Sequence, residues 1–226
     1  MSNYWMIPRA KRTLVSLPLV LSVVSATALG KEWSSRDVTL ALEGMLEKYQ
    51  IKRTGKRRDQ SGGGGRTYRA WLEALGFIFK EDESGLFRLT KAGEKLQKGE
   101  ETIRTVTNQL MKMQYPSVYS IKPMVDVSRR FRVHPFRFLL SLLASQDIKY
   151  LTEEEIALFA VTEGESDDDK CLEKVKNEIL HFRADKNSLV LDATFAAKHG
   201  SRNGARSIVK TISSLKDIAN TFINYL

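Results

Sequence analysis

Four consecutive glycines, Gly62 to Gly65, interrupt the chain between two segments whose apolar residues recur at helical spacing. Glycine loses the most backbone freedom on ordering and brings no side chain to pack, so an unbroken helix across that point is disfavoured. The residues before it are strongly basic, and the stretch 51–65 reads as a loop. Upstream, Ser34 or Ser35 stands as N-cap ahead of Val38, Leu42, Met45, Leu46 and Tyr49, which predicts an amphipathic helix. Downstream, "RTYRAWLEALG" places Tyr68, Trp71, Leu72 and Leu75 on one apolar face. Gly76 stands where a helix-terminating glycine belongs.

The next segment, "FIFKEDESGLFRL", reads as a hairpin. Phe77 and Phe79 alternate on one arm, Phe87 and Leu89 face them from the other, and Ser84-Gly85 supplies the turn. Thr90 is the expected N-cap of "KAGEKLQKG". Helix, basic loop, helix, hairpin and helix together suggest a winged-helix-like unit over residues 1–99. Residues 100–226 read as a second, helical subdomain: one helix from about Glu100 to Met113, and an apolar core helix near Pro135. A Thr152/Glu155 capping box precedes "EEEIALFAV", and a further helix opens at Asp167–Asp169. A last helix carries Ile208, Ile212, Leu215, Ala219 and Phe222 on one stripe. The fold class is therefore mainly α with a small β-hairpin. The final helix reaches Tyr225-Leu226 with no glycine or proline to stop it, which suggests a continuing chain.

At the other end, Arg9, Lys11 and Arg12 precede an apolar run from Leu14 to Val24, and Ala26-Thr27-Ala28 resembles a cleavage site. Ser16, Pro18 and Ser22 interrupt the run, and it is too short to span a bilayer. A buried first helix is expected instead of a secretory signal. A single cysteine, Cys171, excludes an intramolecular disulfide and fits a reducing, cytoplasmic setting.

The net charge of +9 favours polyanionic partners, nucleic acid before anionic membrane. Most of it is concentrated: Lys52, Arg53, Lys56, Arg57, Arg58, Arg66 and Arg69 face only Asp59 within residues 51–70. Arginine binds a phosphate or the acceptor edge of guanine through a planar fork. Gly62 to Gly65 leave the backbone bare directly before a helix N-terminus, where free amides and the dipole attract phosphate. Lys56, Arg57, Arg58, Gly64, Gly65, Arg66, Tyr68 and Arg69 are thus the candidate DNA-binding residues of the first subdomain, in a recognition helix and the loop before it. "DVSRRFRVHPFR" adds Arg129, Arg130 and Arg132, with His134 and Arg137 beside them, as phosphate clamps. The same arginines are also placed to pair with the acidic 153–169 stretch. Arg202, Arg206 and Lys210 form a weaker third group.

Catalytic patterns are absent from the sequence. Gly65 is followed by Arg66-Thr67 where a Walker loop requires lysine. His134, His181 and His199 with one cysteine give no zinc spacing. No predicted strand ends in the carboxylate and lysine pattern that holds a nuclease metal. No cofactor is expected in this chain.

The run "RRDQSGGGGRTYRAWLEALGFIFKEDESGLFRLTKAGEKLQKG", followed in order by "MKMQYPS", "HPFRFLLSLL" and "LTEEEIALFAVT", resembles a known family. It is similar to the N-terminal half of type IIS restriction and nicking endonucleases of the AlwI, PleI, MlyI and BstNBI group. "PRAKR", "GKEW" and "SLKDIANTFINYL" extend the resemblance towards both ends. It implies a recognition part that binds double-stranded DNA at a short asymmetric site, the basic loop and the helix from Arg66 being the matching positions. A Mg²⁺-dependent nuclease domain in cis, or a nuclease subunit in trans, would then do the cutting. The alternative is a stand-alone winged-helix regulator that binds DNA without cleaving it, and an exported basic protein is a third reading.

Overall fold

The computed structural model describes residues 3–52, 62–121, 127–200 and 207–226. They fall into two compact units, Pro8–Leu110 and a second made of Met1–Ile7 with Met111–Leu226. Sequence reading placed the subdomains at 1–99 and 100–226. The structure groups the first seven residues with the C-terminal half.

In the unit Pro8–Leu110 the apolar N-terminal run forms α1 (Leu17–Ala28), with a proline in its first turn and Leu17, Val20, Leu21, Val23 and Val24 buried. It is a core helix, as expected, and no helix of the described residues is long and apolar enough to cross a membrane. Helix α2 (Arg36–Lys48) starts at Ser35, whose hydroxyl accepts the Val38 amide at 3.3 Å. Helix α3 (Gly63–Ala74) begins inside the glycine run. The expected loop over 51–65 therefore ends three residues early. A Cβ on Gly65 would stand 2.7 Å from the Thr39 carbonyl oxygen of α2, so these glycines let two helix backbones approach closely.

Helix α3 stops as its sequence predicts. Gly76 has a positive φ of 75°, its amide bonds Glu73 O at 2.9 Å, and Phe77 N bonds Leu72 O at 2.9 Å, the paired closure of a Schellman turn. That closure decides the hairpin. Strands β1 (Ile78–Lys80) and β2 (Phe87–Leu89) pair antiparallel with Ile78 opposite Leu89. Phe77 belongs to the helix end and is buried, whereas Phe79 points outward and is 41% exposed. The expected Phe77/Phe79 alternation fails because the strand starts one residue later, which reverses its faces.

Residues 30–33 run along the outer edge of β2. Gly30 N donates to Phe87 O and Phe87 N to Lys31 O, both at 2.9 Å, and Trp33 N donates to Gly85 O at 3.0 Å. Helix α4 (Lys91–Gln97) is capped by Thr90, whose hydroxyl accepts Gly93 N at 3.0 Å. Helix α5 (Thr102–Lys112) carries the chain across the unit boundary.

In the second unit, α6 (Pro135–Ala144) buries Phe136, Phe138, Leu139 and Leu142. The Thr152/Glu155 capping box is present and opens α7 (Glu153–Glu155), which continues through a π-helical stretch, Ile156–Ala160, into α8 (Val161–Glu163). Asp168 caps α9 (Asp169–Ala184) through Cys171 N at 2.8 Å. Helices α10 (Ala193–His199) and α11 (Ile208–Ile223) follow, with Leu215, Ala219 and Phe222 buried on the expected stripe. Trp5 is fully buried here: its amide bonds Val161 O at 2.8 Å and its indole N–H bonds Gly164 O at 2.7 Å. Phe138 and Phe222 meet its ring edge-on at 5.7 and 5.5 Å.

Candidate nucleic-acid interface

Helix α3 turns Tyr68, Trp71 and Leu72 into the core of its unit, so residues one-third of a turn away must face outward. Arg66 and Thr67 are exposed, and Gly63 and Ala70 are half-exposed on the same side. This face holds one long cation and otherwise small side chains, which leaves the helix backbone able to approach another surface closely. Thr67 and Ala70 escaped the charge-based sequence reading. The signal for them was the i, i+3, i+4, i+7 series from Gly63, the complement of the apolar face.

Arg69 flanks that face and is held in place. Its guanidinium lies 4.6 Å above the Trp33 ring and donates to the Trp33 carbonyl oxygen. Phe87 stacks on Trp33, with ring centres 5.4 Å apart and planes 24° from parallel. Burial lowers the Arg69 pKa from its ordinary value, with Glu73 opposing that shift, and an arginine so perturbed remains a cation at neutral pH.

Tyr68 stands elsewhere. It is buried, and its hydroxyl donates to Ile51 O at 3.2 Å, which makes it a core residue of the unit. Gly64 and Gly65 likewise serve packing. The Glu43 carboxylate, itself buried and paired with Lys52, stands 3.0 Å from where a Gly64 Cβ would be. Lys52 Nζ stands nearer still, at 2.7 Å, so the start of α3 faces a paired carboxylate and ammonium. Lys56, Arg57 and Arg58 lie outside the described residues. The hairpin turn carries Asp82 and Glu83, both exposed, while Glu81 pairs with Arg88 at 3.0 Å.

The second unit carries its own arginine segment, and its members part company. Arg129 and Arg132 are exposed. Arg130 turns inward: it bonds Glu165 Oε1 at 2.6 Å, Glu163 Oε2 at 3.3 Å and the carbonyls of Thr162 and Asn3 at 2.5 and 3.3 Å. Its guanidinium also covers the Phe131 ring at 4.6 Å. Burial would raise the Glu163 carboxyl, but hydrogen bonds from Lys198 and Lys174, with the Arg130 charge, hold it down at about 2. Arg137 donates through Nε to Met111 O at 2.6 Å, and His134 Nδ1 meets Asp167 Oδ2 at 2.5 Å. Arg202 and Arg206 lie outside the described residues, and Lys210 is exposed on α11.

Against these positions stands one comparison with known proteins. A family model described as AlwI restriction endonuclease matches residues 73–226. The chain belongs to the AlwI restriction endonuclease family. As an AlwI-family protein it has DNA as its substrate class, and the match takes in α4 to α11 with the whole arginine segment. Helices α1 and α2, and all of α3 before Glu73, precede the matched span. No curated protein matches the chain.

Proposed function

We propose that this AlwI-family chain is the sequence-specific DNA-recognition module of a type IIS restriction or nicking endonuclease. It binds a short asymmetric site in double-stranded DNA, and the cutting centre lies in a nuclease domain or subunit outside these two units. Family membership supports DNA as the ligand. The exposed face of α3 supports recognition: Arg66 and Thr67 project outward beside a guanidinium fixed on Trp33. That face is the observation on which the proposal rests.

The element order of the unit Pro8–Leu110 supports a winged-helix reading. A helix, an extended segment hydrogen-bonded to β2, two helices and a hairpin follow one another, and α3 takes the place of the recognition helix. In this reading Arg66 and Arg69 meet guanine edges or flanking phosphates, while Thr67 and Ala70 suit the methyl group of thymine. Arg129 and Arg132 hold phosphates and supply affinity without sequence information. Arg130 and Tyr68 take no part.

Mg²⁺ belongs, in the same proposal, to the nuclease part. Among the described residues no three His, Cys, Asp or Glu side chains gather into a group that could hold a metal ion.

Selection of bound sequences from a randomised duplex pool, followed by titration of the selected site at several salt concentrations, tests the proposal. We expect one non-palindromic site, and an affinity that falls linearly in log–log form with salt. Recovery of no consensus would overturn recognition, and a palindromic consensus would favour a dimeric regulator.

A further inference from the structure

Trp33 belongs to neither α3 nor the two strands of the hairpin, yet it touches both. Its amide donates to Gly85 O at 3.0 Å, and Glu32 beside it bridges to Leu86. Its ring stacks on Phe87 of β2, with ring centres 5.4 Å apart. Its carbonyl oxygen accepts Nη1 of Arg69, whose guanidinium carbon stands 4.6 Å from the centre of the same ring. One residue thus ties Arg69 of α3 to the hairpin, through its main chain and through its ring.

The guanidinium is planar, and these contacts engage one face and one nitrogen of it. Nε and Nη2, which donate side by side along another edge, make no hydrogen bond among the described residues. Arg69 is half-exposed. An arginine gives up much side-chain freedom when a ligand orders it. Trp33 imposes that order in the free protein, so a ligand that fits the remaining edge meets a preset group.

A preset fork suits a base edge better than a phosphate. N7 and O6 of guanine lie in one plane and accept two parallel donors, whereas phosphate oxygens accept from many directions. Glu73, on the next turn of α3, acts on Arg69 as a charge. A carboxylate beside the fork repels a phosphate anion more than a neutral base edge.

We propose that Trp33 is a positioning residue for DNA reading, which holds Arg69 with its Nε–Nη2 edge towards one guanine of the bound site. The proposal rests on the reading of α3 as the recognition helix. It deepens that reading, because it assigns Arg69 to a base and gives the hairpin a part in specificity through Trp33.

The test uses the full chain with the selected duplex and with random duplex. Each guanine of the selected site is replaced in turn by 7-deazaguanine, which lacks the N7 acceptor. One position should cost the unaltered protein about tenfold in affinity. At that position the penalty should fall to about twofold or less in Arg69→Ala, and to about threefold or less in Trp33→Leu. Leucine keeps an apolar side chain against Phe87 and removes the ring. Trp33→Phe, which retains a ring, should keep most of the penalty. Affinity for random duplex should stay within about threefold in both Trp33 variants, with thermal midpoints reporting on folding. If Trp33→Leu fails to fold, Trp33→Met takes its place. A merely structural Trp33 would lower stability and all binding together and leave the penalty intact, which would overturn the proposal. So would Trp33→Leu behaving like Trp33→Phe, or a penalty that survives Arg69→Ala. A consensus site with no sensitive guanine would overturn this proposal alone and leave DNA recognition standing. Recovery of no consensus would overturn both.

Discussion

Helix α3, with Arg66 and Arg69, and the segment from Val127 to Arg137 both carry arginine, yet the two units treat that charge differently. Around α3 the buried carboxylate, Glu43, is matched by Lys52 from the same unit. Arg69 rests on an aromatic ring and a carbonyl, and the Glu73 charge acts on it from the next turn of α3. In the second unit Glu163 and Glu165 draw Arg130 inward, and Lys174 and Lys198 join the same network. Arg183 likewise grips Glu155 through two bonds, at 2.7 and 2.9 Å. A count of basic residues therefore overstates the charge available to DNA. Availability depends on whether the fold has placed a carboxylate within reach of each cation.

The sharpest way to break this comparison is Arg130→Ala. Leaving carboxylates buried beside a missing partner costs about 3 kcal/mol, so the thermal midpoint should fall by roughly 6–12 °C. The slope of log affinity against log salt should not change. A lower slope with an unchanged midpoint would move Arg130 to the DNA surface and erase the contrast.

Glu163 gives an effect of similar size, read through pH. Its folded pKa of about 2 lies below the ordinary value of 4.5, so it stabilises the protein above that ordinary value. The contribution is lost as pH falls from 4.5 towards 2. Glu163→Gln should cost roughly 2–3 kcal/mol at neutral pH and flatten acid unfolding across that window. Parallel acid unfolding of the two proteins would show that Glu163 does not anchor the network.

Next comes Arg66→Ala, expected to weaken the selected site by about 10- to 100-fold, the worth of one good base contact. Binding to random duplex should drop far less. An equal loss on both would reduce Arg66 to a phosphate contact. Arg129→Ala and Arg132→Ala should each lower the salt slope by about one and weaken all sequences alike. The smallest effect belongs to the hairpin turn. Asp82→Lys should tighten random DNA by a few-fold, roughly 1 kcal/mol, if the turn lies near phosphate, and no change places it away from the duplex.

Much of the local structure was legible because it depends on neighbours in sequence. Ser35, Thr90 and Thr152 cap the helices they precede, Gly76 ends α3, and the apolar faces of α3 and α11 lie inward. Contacts between distant residues were not legible. Nothing near Gly64 or Gly65 in sequence announces that Thr39 and Glu43 will press against them. Phe79 points outward because a helix closure displaced the start of the strand by one residue. Tyr68 carries a hydroxyl suited to DNA, yet a carbonyl 17 residues upstream claims it.

The sequence alone determined the predominance of helix, the caps at Ser35, Thr90 and Thr152 with the stop at Gly76, and the concentration of arginine in two segments. Periodicity, capping and charge act over a few residues and are read directly from the chain. Only tertiary structure decided that Arg130 turns inward to Glu163 and Glu165, that Trp5 joins the C-terminal unit, and that Trp33 orients Arg69. Each outcome turns on a partner 36 or more residues away for Arg69 and more than 30 for Arg130. Burial makes such pairings compulsory, since a charge removed from water must find its counterpart wherever the fold has placed it.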